Sequence, residues 1–163
     1  MHSLPTHPLY RFREWRAGDG THLFELNADP RVLQWTGDRP FLDLSEAEEF
    51  VRGYAAFRQK GMGRWLVEDA ASGSVLGWAG LRKTGNVIDL GFRLHALNWN
   101  QGHATRIAHA ILDWAKEQKI QQVYAQHHPE NLASQAVLRK VQFHACEPYA
   151  GCNPAWLKYT RFL

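Results

Sequence analysis

The sequence predicts a mixed α/β fold: a mixed, mostly antiparallel twisted sheet of about seven strands with helices on both faces. Three observations carry that expectation. Residues 86–94 alternate in a strand period, and from Gly102 the period changes to a helical one through Ile107, Ile111, Trp114 and Ala115. A further strand pattern at 122–127 follows that helix, so the two strands it joins should run parallel. Upstream, two strand patterns are joined by Ala70-Ala71-Ser72-Gly73, a natural hairpin turn that makes its strands antiparallel.

The elements follow in order. Residues 10–15 read as a first strand, with Tyr10 and Phe12 on one face and Arg11 and Arg13 on the other. Asp19 is placed to cap a helix carrying Leu23, Phe24 and Leu26, which ends by Pro30. Ser45-Glu46-Ala47-Glu48 has the form of a capping box. It opens a helix expected to turn Phe50, Tyr54 and Phe57 inward and to stop at Gly61. Strands follow at 64–69, 74–82 and 86–94, then a helix to about Lys119 and the strand at 122–127. Asn131 starts a last helix with Ala133, Val137 and Val141 on one stripe, and strands at 143–146 and 156–162 complete the sheet.

Composition bounds the class. The chain has 163 residues, enough for one domain with a real core. Hydrophobic residues make up 45% and charged residues 21%, an ordinary globular balance, and no apolar run is long enough to span a membrane. The start, Met1-His2-Ser3-Leu4-Pro5, lacks the basic and apolar regions of a signal peptide. Two cysteines, Cys146 and Cys152, read better as free thiols of a cytoplasmic protein than as a disulfide framework. The nine histidines are scattered, so no metal site is expected. The net charge of +3 and a pI of about 9.0 favour an anionic ligand. Lys and Arg form no stripe, so nucleic acid is not expected as a partner.

The turn between the strand at 86–94 and its helix is rich in Asn, Gln and Gly and holds no acidic residue. A helix opening there leaves its first N–H groups unpaired at the positive end of the dipole, a site suited to phosphate. The alternative is a plain strand–turn–helix connection without a ligand.

Four segments in register resemble the GNAT superfamily of acyl-CoA N-acyltransferases, and more narrowly its RimJ/RimL-like branch of ribosomal-protein N-terminal acetyltransferases. They are Leu23-Phe24-Glu25-Leu26-Asn27-Ala28-Asp29-Pro30-Arg31-Val32; Gly61-Met62-Gly63-Arg64-Trp65-Leu66-Val67 with Val75-Leu76-Gly77-Trp78-Ala79-Gly80-Leu81-Arg82; Asp89-Leu90-Gly91-Phe92-Arg93-Leu94-His95 with Trp99-Asn100-Gln101-Gly102-His103-Ala104-Thr105; and His128-Pro129-Glu130-Asn131-Leu132-Ala133-Ser134 with Val137-Leu138 and Phe143. The resemblance implies the GNAT fold over residues 1–163. It also implies acetyl-CoA as cosubstrate and transfer of its acetyl group to a primary amine, either a protein N-terminus or a small molecule. Relatives occur as monomers or homodimers. The sequence departs from the pattern at Asn100 and Gln142, where Gly is usual, and at Gln126, where many relatives have Glu.

The resemblance places Arg93 and Leu94 beside the pantetheine as an added strand. It puts the diphosphate on Trp99, Asn100, Gln101, Gly102, His103, Ala104 and Thr105, and gives Asn131 the pantetheine amides or a helix cap. Asp89 is the candidate base, acting through a water, or else only the group that orients a cationic acceptor. Ser134 is the candidate donor to the departing thiolate, or else a simple first-turn residue. His95, His127 and His128 lie near the expected cleft, and Trp35, Trp65, Trp78 and Trp99 are candidates to shape the acceptor pocket. The loops at 30–45 and 145–155 are expected to bind the acceptor. The competing reading is a CoA-binding sensor without turnover.

Overall fold

The computed structural model describes residues 3–163, so Met1 and His2, part of the leader reading above, lie outside the described residues. Seven strands form one sheet in the order β1-β2-β3-β4-β5-β7-β6. They are β1 Tyr10–Arg13, β2 Arg64–Asp69, β3 Val75–Thr84, β4 Val87–Leu94, β5 Gln122–His127, β6 His144–Ala145 and β7 Leu157–Phe162. Every neighbouring pair is antiparallel except β4 and β5, the pair that the long helix joins.

The helices are α1 Gly20–Ala28, α2 Pro30–Leu33, α3 Leu44–Gly53, α4 Ala56–Lys60, α5 His103–Glu117 and α6 Leu132–Lys140. Strand alternation sorts the side chains into two layers. Trp65 and Val67 of β2 join a core with Ile107, Ile111 and Trp114 of α5 and with Leu138 and Val141 at α6. Leu66, between them, is equally buried but belongs to the other layer, with Leu23 and Leu26 of α1 and Ala47 and Val51 of α3 also buried there. Each of these large apolar side chains contributes roughly 1.5–3 kcal/mol on burial.

Three local expectations are corrected. The cap of α3 is Asp43, whose carboxylate accepts the Glu46 N–H at 2.9 Å; Ser45 lies inside the helix. The helix does not run through to Gly61: it ends at Gly53, and α4 is a separate turn that Gly61 stops in a left-handed conformation. Phe50 is 51% exposed rather than inward, because Ala47 and Val51 take the buried stripe. Asp19 precedes α1 but makes no side-chain cap. Arg13 donates to its carboxylate at 2.6 and 2.9 Å, and the Arg16 N–H at 2.8 Å.

Candidate functional site

The site begins where β4 and β5 part. Their register has a single pair, Asp89 with Tyr124, whereas β4 stays paired to β3 as far as Leu94. The edge of β4 from residue 90 to 94 is therefore open on the β5 side. Backbone groups on an open edge can take an extended ligand as an added strand.

Beyond Leu94 the chain makes a 3₁₀ turn, Ala96–Asn98, and then doubles back into α5. The Trp99 indole N–H donates to the Leu94 carbonyl at 2.9 Å and fixes the turn. Asn100 has φ 59° and Gly102 φ 77°. Asn tolerates the left-handed region better than most residues, which accounts for its standing where relatives carry Gly. Gly102 has no side chain to cap α5, and the first turn of α5 has no acidic residue. The N–H groups of His103, Ala104 and Thr105 are thus left without intrahelical partners, with the helix dipole behind them.

A cation that the sequence reading did not single out lies beside this turn. Arg106 donates to Tyr10 Oη at 2.9 Å and to the Gln101 carbonyl at 2.8 Å. A Cβ on Gly102 would stand 2.8 Å from its Nη1. The Gln101 side chain does not face the cleft; it donates to the Leu97 carbonyl at 2.8 Å and stiffens the turn.

The divergence opens into a cleft of about 1360 Å3, larger than the roughly 300–1,000 Å3 of a site for one small ligand. Asp89, Arg93, Leu94, Trp99, Asn100, Gly102, His103, Ala104, Thr105, Asn131 and Ser134 all line it. Of the residues expected to act in catalysis or to hold the cosubstrate, every one except Gln101 thus lines a single cavity. Trp35 and Trp78 line it as well, but Trp65 is 1% exposed and packs edge-on against Trp114. Of the three histidines, only His127 reaches the wall.

At the start of α6 the Asn131 carboxamide oxygen accepts the Ser134 N–H at 3.1 Å, so Asn131 is a helix cap. Its amide nitrogen has no partner among the described residues, and neither has the Ser134 hydroxyl. His127 donates from Nδ1 to the His128 carbonyl at 2.7 Å, since a carbonyl can only accept. Burial lowers its pKa, against that hydrogen bond, so the ring is neutral and its buried Nε2 keeps a lone pair without a partner.

On the opposite side of the sheet, Asp89 is buried at 6% exposure, not solvated as a strand carboxylate commonly is. Arg64 donates to its Oδ2 and Arg82 to its Oδ1, the latter at 3.0 Å. Arg64 also donates to the carbonyls of Gly80 and Asp89. It reaches across β3 because Gly91 is bare: a Cβ there would lie 2.7 Å from the guanidinium carbon. Trp78 lies under both Arg64 and Arg93, 5.6 and 5.1 Å from its ring centre. Arg93 is tied to Asn27 at 2.6 Å and to Asp38 at 2.7 Å. Gln126, which stands where many relatives have Glu, accepts the Asn153 N–H at 2.7 Å and anchors the loop before β7.

The roles of Arg64 and Arg82 were missed in the sequence because nothing local marks them; the register of β2, β3 and β4 brings them to Asp89, and Tyr54, at the end of α3, accepts the Arg64 N–H at 2.8 Å. Among the described residues no group of three or more His, Cys, Asp or Glu is arranged to hold a metal ion, and no helix is long and apolar enough to cross a membrane.

Residues 10–144 match the profile of the Acetyltransferase (GNAT) domain. The chain is 29% identical over 140 residues to the uncharacterised protein YkkB of Bacillus subtilis, covering 82% of this chain and 80% of that protein. Among solved structures it superposes on an acetyltransferase from Agrobacterium tumefaciens with a TM-score of 0.83 at 22% identity, covering 98% and 95% of the two chains. It superposes on RimL, a ribosomal L7/L12 alpha-N-protein acetyltransferase in complex with coenzyme A, with a TM-score of 0.79 at 19% identity, covering 98% and 97%. These structural likenesses establish the mixed, seven-stranded fold.

Proposed function

The chain belongs to the GNAT family of acetyltransferases, and from that premise we propose that it transfers the acetyl group of acetyl-CoA to a primary amine, in the manner of the RimJ/RimL-like branch. One observation carries the proposal: the open edge of β4 leads straight to an uncapped, acid-free helix start. That continuity suits a ligand with an amide-bearing arm and a diphosphate. The N–H groups of residues 103–105 would hold the diphosphate, with Arg106 nearby to offset its charge. The edge at Arg93 and Leu94 and the free amide of Asn131 would hold the arm. Bound there, acetyl-CoA supplies an activated acyl group.

The chain's own groups then have separate duties. A primary amine near neutral pH is mostly protonated, so its proton must leave before it can attack. Asp89 has both oxygens engaged as acceptors of guanidinium N–H groups. In this proposal it orients rather than accepts, and the proton passes to water in the cleft. The Ser134 hydroxyl, without a partner among the described residues, donates to the leaving thiolate. The unpaired thiols Cys146 and Cys152 and the cosubstrate fit work in the cytoplasm.

The test is thiol release from acetyl-CoA with a panel of free amines and N-terminal peptides. Amine-dependent release is expected. Tight CoA binding without it would instead establish the sensor reading. Gly102→Val should raise the Michaelis constant for acetyl-CoA at least about tenfold, roughly 1.4 kcal/mol. The variant must leave a left-handed φ and would bring its side chain toward Arg106. Unchanged affinity in a folded variant would remove the helix start from the site.

A further inference from the structure

Four arginines line the cleft, and they are not equivalent; Arg39 is engaged by Glu46 and the Pro40 carbonyl. Arg64 is spent on two carbonyls and Asp89, and Arg93 on Asn27 and Asp38. Arg82 is held by one edge only: its Nε donates to Asp89 Oδ1 at 3.0 Å. Among the described residues, its Nη1 and Nη2 donate to no protein group, and its side chain is 52% exposed in the cleft wall.

Asp89 cannot swing away from it. The two residues face each other across the β3–β4 register, and the second oxygen of Asp89 is fixed by Arg64, which the bare Gly91 lets lie against β4. Two guanidinium charges against one carboxylate leave one positive charge uncompensated. A guanidinium fixed at its rear with its outer nitrogens open is prepared for a planar anion, and it loses little freedom on binding. In the same cleft wall stands Tyr54, whose hydroxyl accepts the Arg64 N–H at 2.8 Å. Its ring packs 6.1 Å from Phe50, and both line the cleft.

We infer that Arg82 is the anion subsite for the acceptor: it takes the carboxylate of an α-amino acid whose apolar side chain packs against Tyr54 and Phe50 and whose amine is acetylated. The inference rests on the acetyl-transfer reading above. In the transfer the amide C–N bond forms and the thioester C–S bond breaks. The amine proton goes to water and the thiolate is protonated, so no further reactant is needed. A polyamine is the contrary case, because it would be drawn to Glu49 at the mouth and repelled by Arg82.

L-Phenylalanine and phenethylamine share ring and spacing and differ only in the carboxylate, so they form the test pair. The wild type should favour L-phenylalanine in kcat/KM by at least about tenfold. In Arg82→Gln that ratio should fall to about one, through the Michaelis constant for phenylalanine. Arg82→Lys, which keeps the charge without the fork, should retain part of it. A second arm needs no turnover: calorimetric binding of N-acetyl-L-phenylalanine and N-acetylphenethylamine to the full chain with CoA. The acetylated amino acid should bind at least about tenfold tighter, and the advantage should vanish in Arg82→Gln. Equal binding in the wild type, or an advantage that survives in folded Arg82→Gln, overturns the subsite. A binding advantage without thiol release from any amine would keep the subsite and sink acetyl transfer; release with no preference for the carboxylate would do the reverse.

Discussion

Ser134 and Asp89 show how differently two candidate residues can be placed. Ser134 gives its N–H to the Asn131 cap and keeps its hydroxyl free toward the cleft. Ser134→Ala should lower turnover about 10- to 100-fold with little change in acetyl-CoA affinity, measured under conditions where chemistry limits the rate. Full turnover would take Ser134 out of the reaction. Asp89 sits between Arg64 and Arg82. Asp89→Asn should loosen Arg82 and raise the acceptor's Michaelis constant about tenfold or more while largely sparing turnover, with a pH–rate profile that keeps its shape. A variant that loses about 100-fold in turnover and recovers it as pH rises would return Asp89 to the role of base. Strand alternation was enough to place Asp89 off the apolar face. Its two partners were not legible, because they depend on pairing between β2, β3 and β4 and on the bare backbone at Gly80 and Gly91, where those strands lie side by side.

Elements were legible where one period dominates a long window. The α5 stripe and the parallel crossover are of that kind, as is the hairpin from β2 to β3. The ends of elements were harder, because a cap is decided by one side chain and its geometry. Asp43 and Ser45 are both good capping types, but only Asp43 has the extended backbone of a cap, with φ −157°. Asp43→Ala should therefore cost about 1 kcal/mol in urea denaturation, and Ser45→Ala only a few tenths. The opposite ranking would restore the capping box. The end of α6 offers a prediction of opposite sign. There the Gln142 N–H bonds to the Arg139 carbonyl at 3.0 Å and the Phe143 N–H to Leu138 at 2.9 Å. This is a Schellman ending, which wants a left-handed residue at Gln142, and φ there is 60°. A side chain in that region costs roughly 1–2 kcal/mol, part of which a glycine returns through the freedom of the unfolded chain. Gln142→Gly should stabilise the protein by up to about 1 kcal/mol, read as a higher denaturation midpoint with an unchanged slope. A lower midpoint would mean that the Gln142 side chain makes a contact worth more than the strain.

On the scale of the whole molecule, the two layers and the cleft between β4 and β5 make stability depend on pH in a definite direction. Burial lowers the pKa values of His95, His103 and His127 below the ordinary imidazole value of 6.5. The unfolded chain then binds more protons than the folded one as pH falls through about 6.5, so stability rises with pH across that window and is lost on acidification. Asp19 adds a second loss at lower pH. Burial alone would raise it, but the Arg13 hydrogen bonds, the Arg16 N–H and the nearby positive charge together hold it below 3.8. Its contribution is present above that value and fades as pH falls through the folded pKa. Neither effect was legible in the sequence, where nine scattered histidines say nothing about which are buried. Urea midpoints should therefore hold between about pH 8 and 7, fall between about pH 6.5 and 5, and fall again below about pH 4. His127→Phe keeps a ring against Tyr159, which stacks on the imidazole at 5.2 Å, and removes the titrating group. It should shrink the first fall and leave the second in place, whereas Asp19→Asn, though destabilising overall, should flatten the second and leave the first. A His127→Phe curve parallel to the wild type from pH 8 to 5 would show that the buried imidazole is not the source of the acid sensitivity.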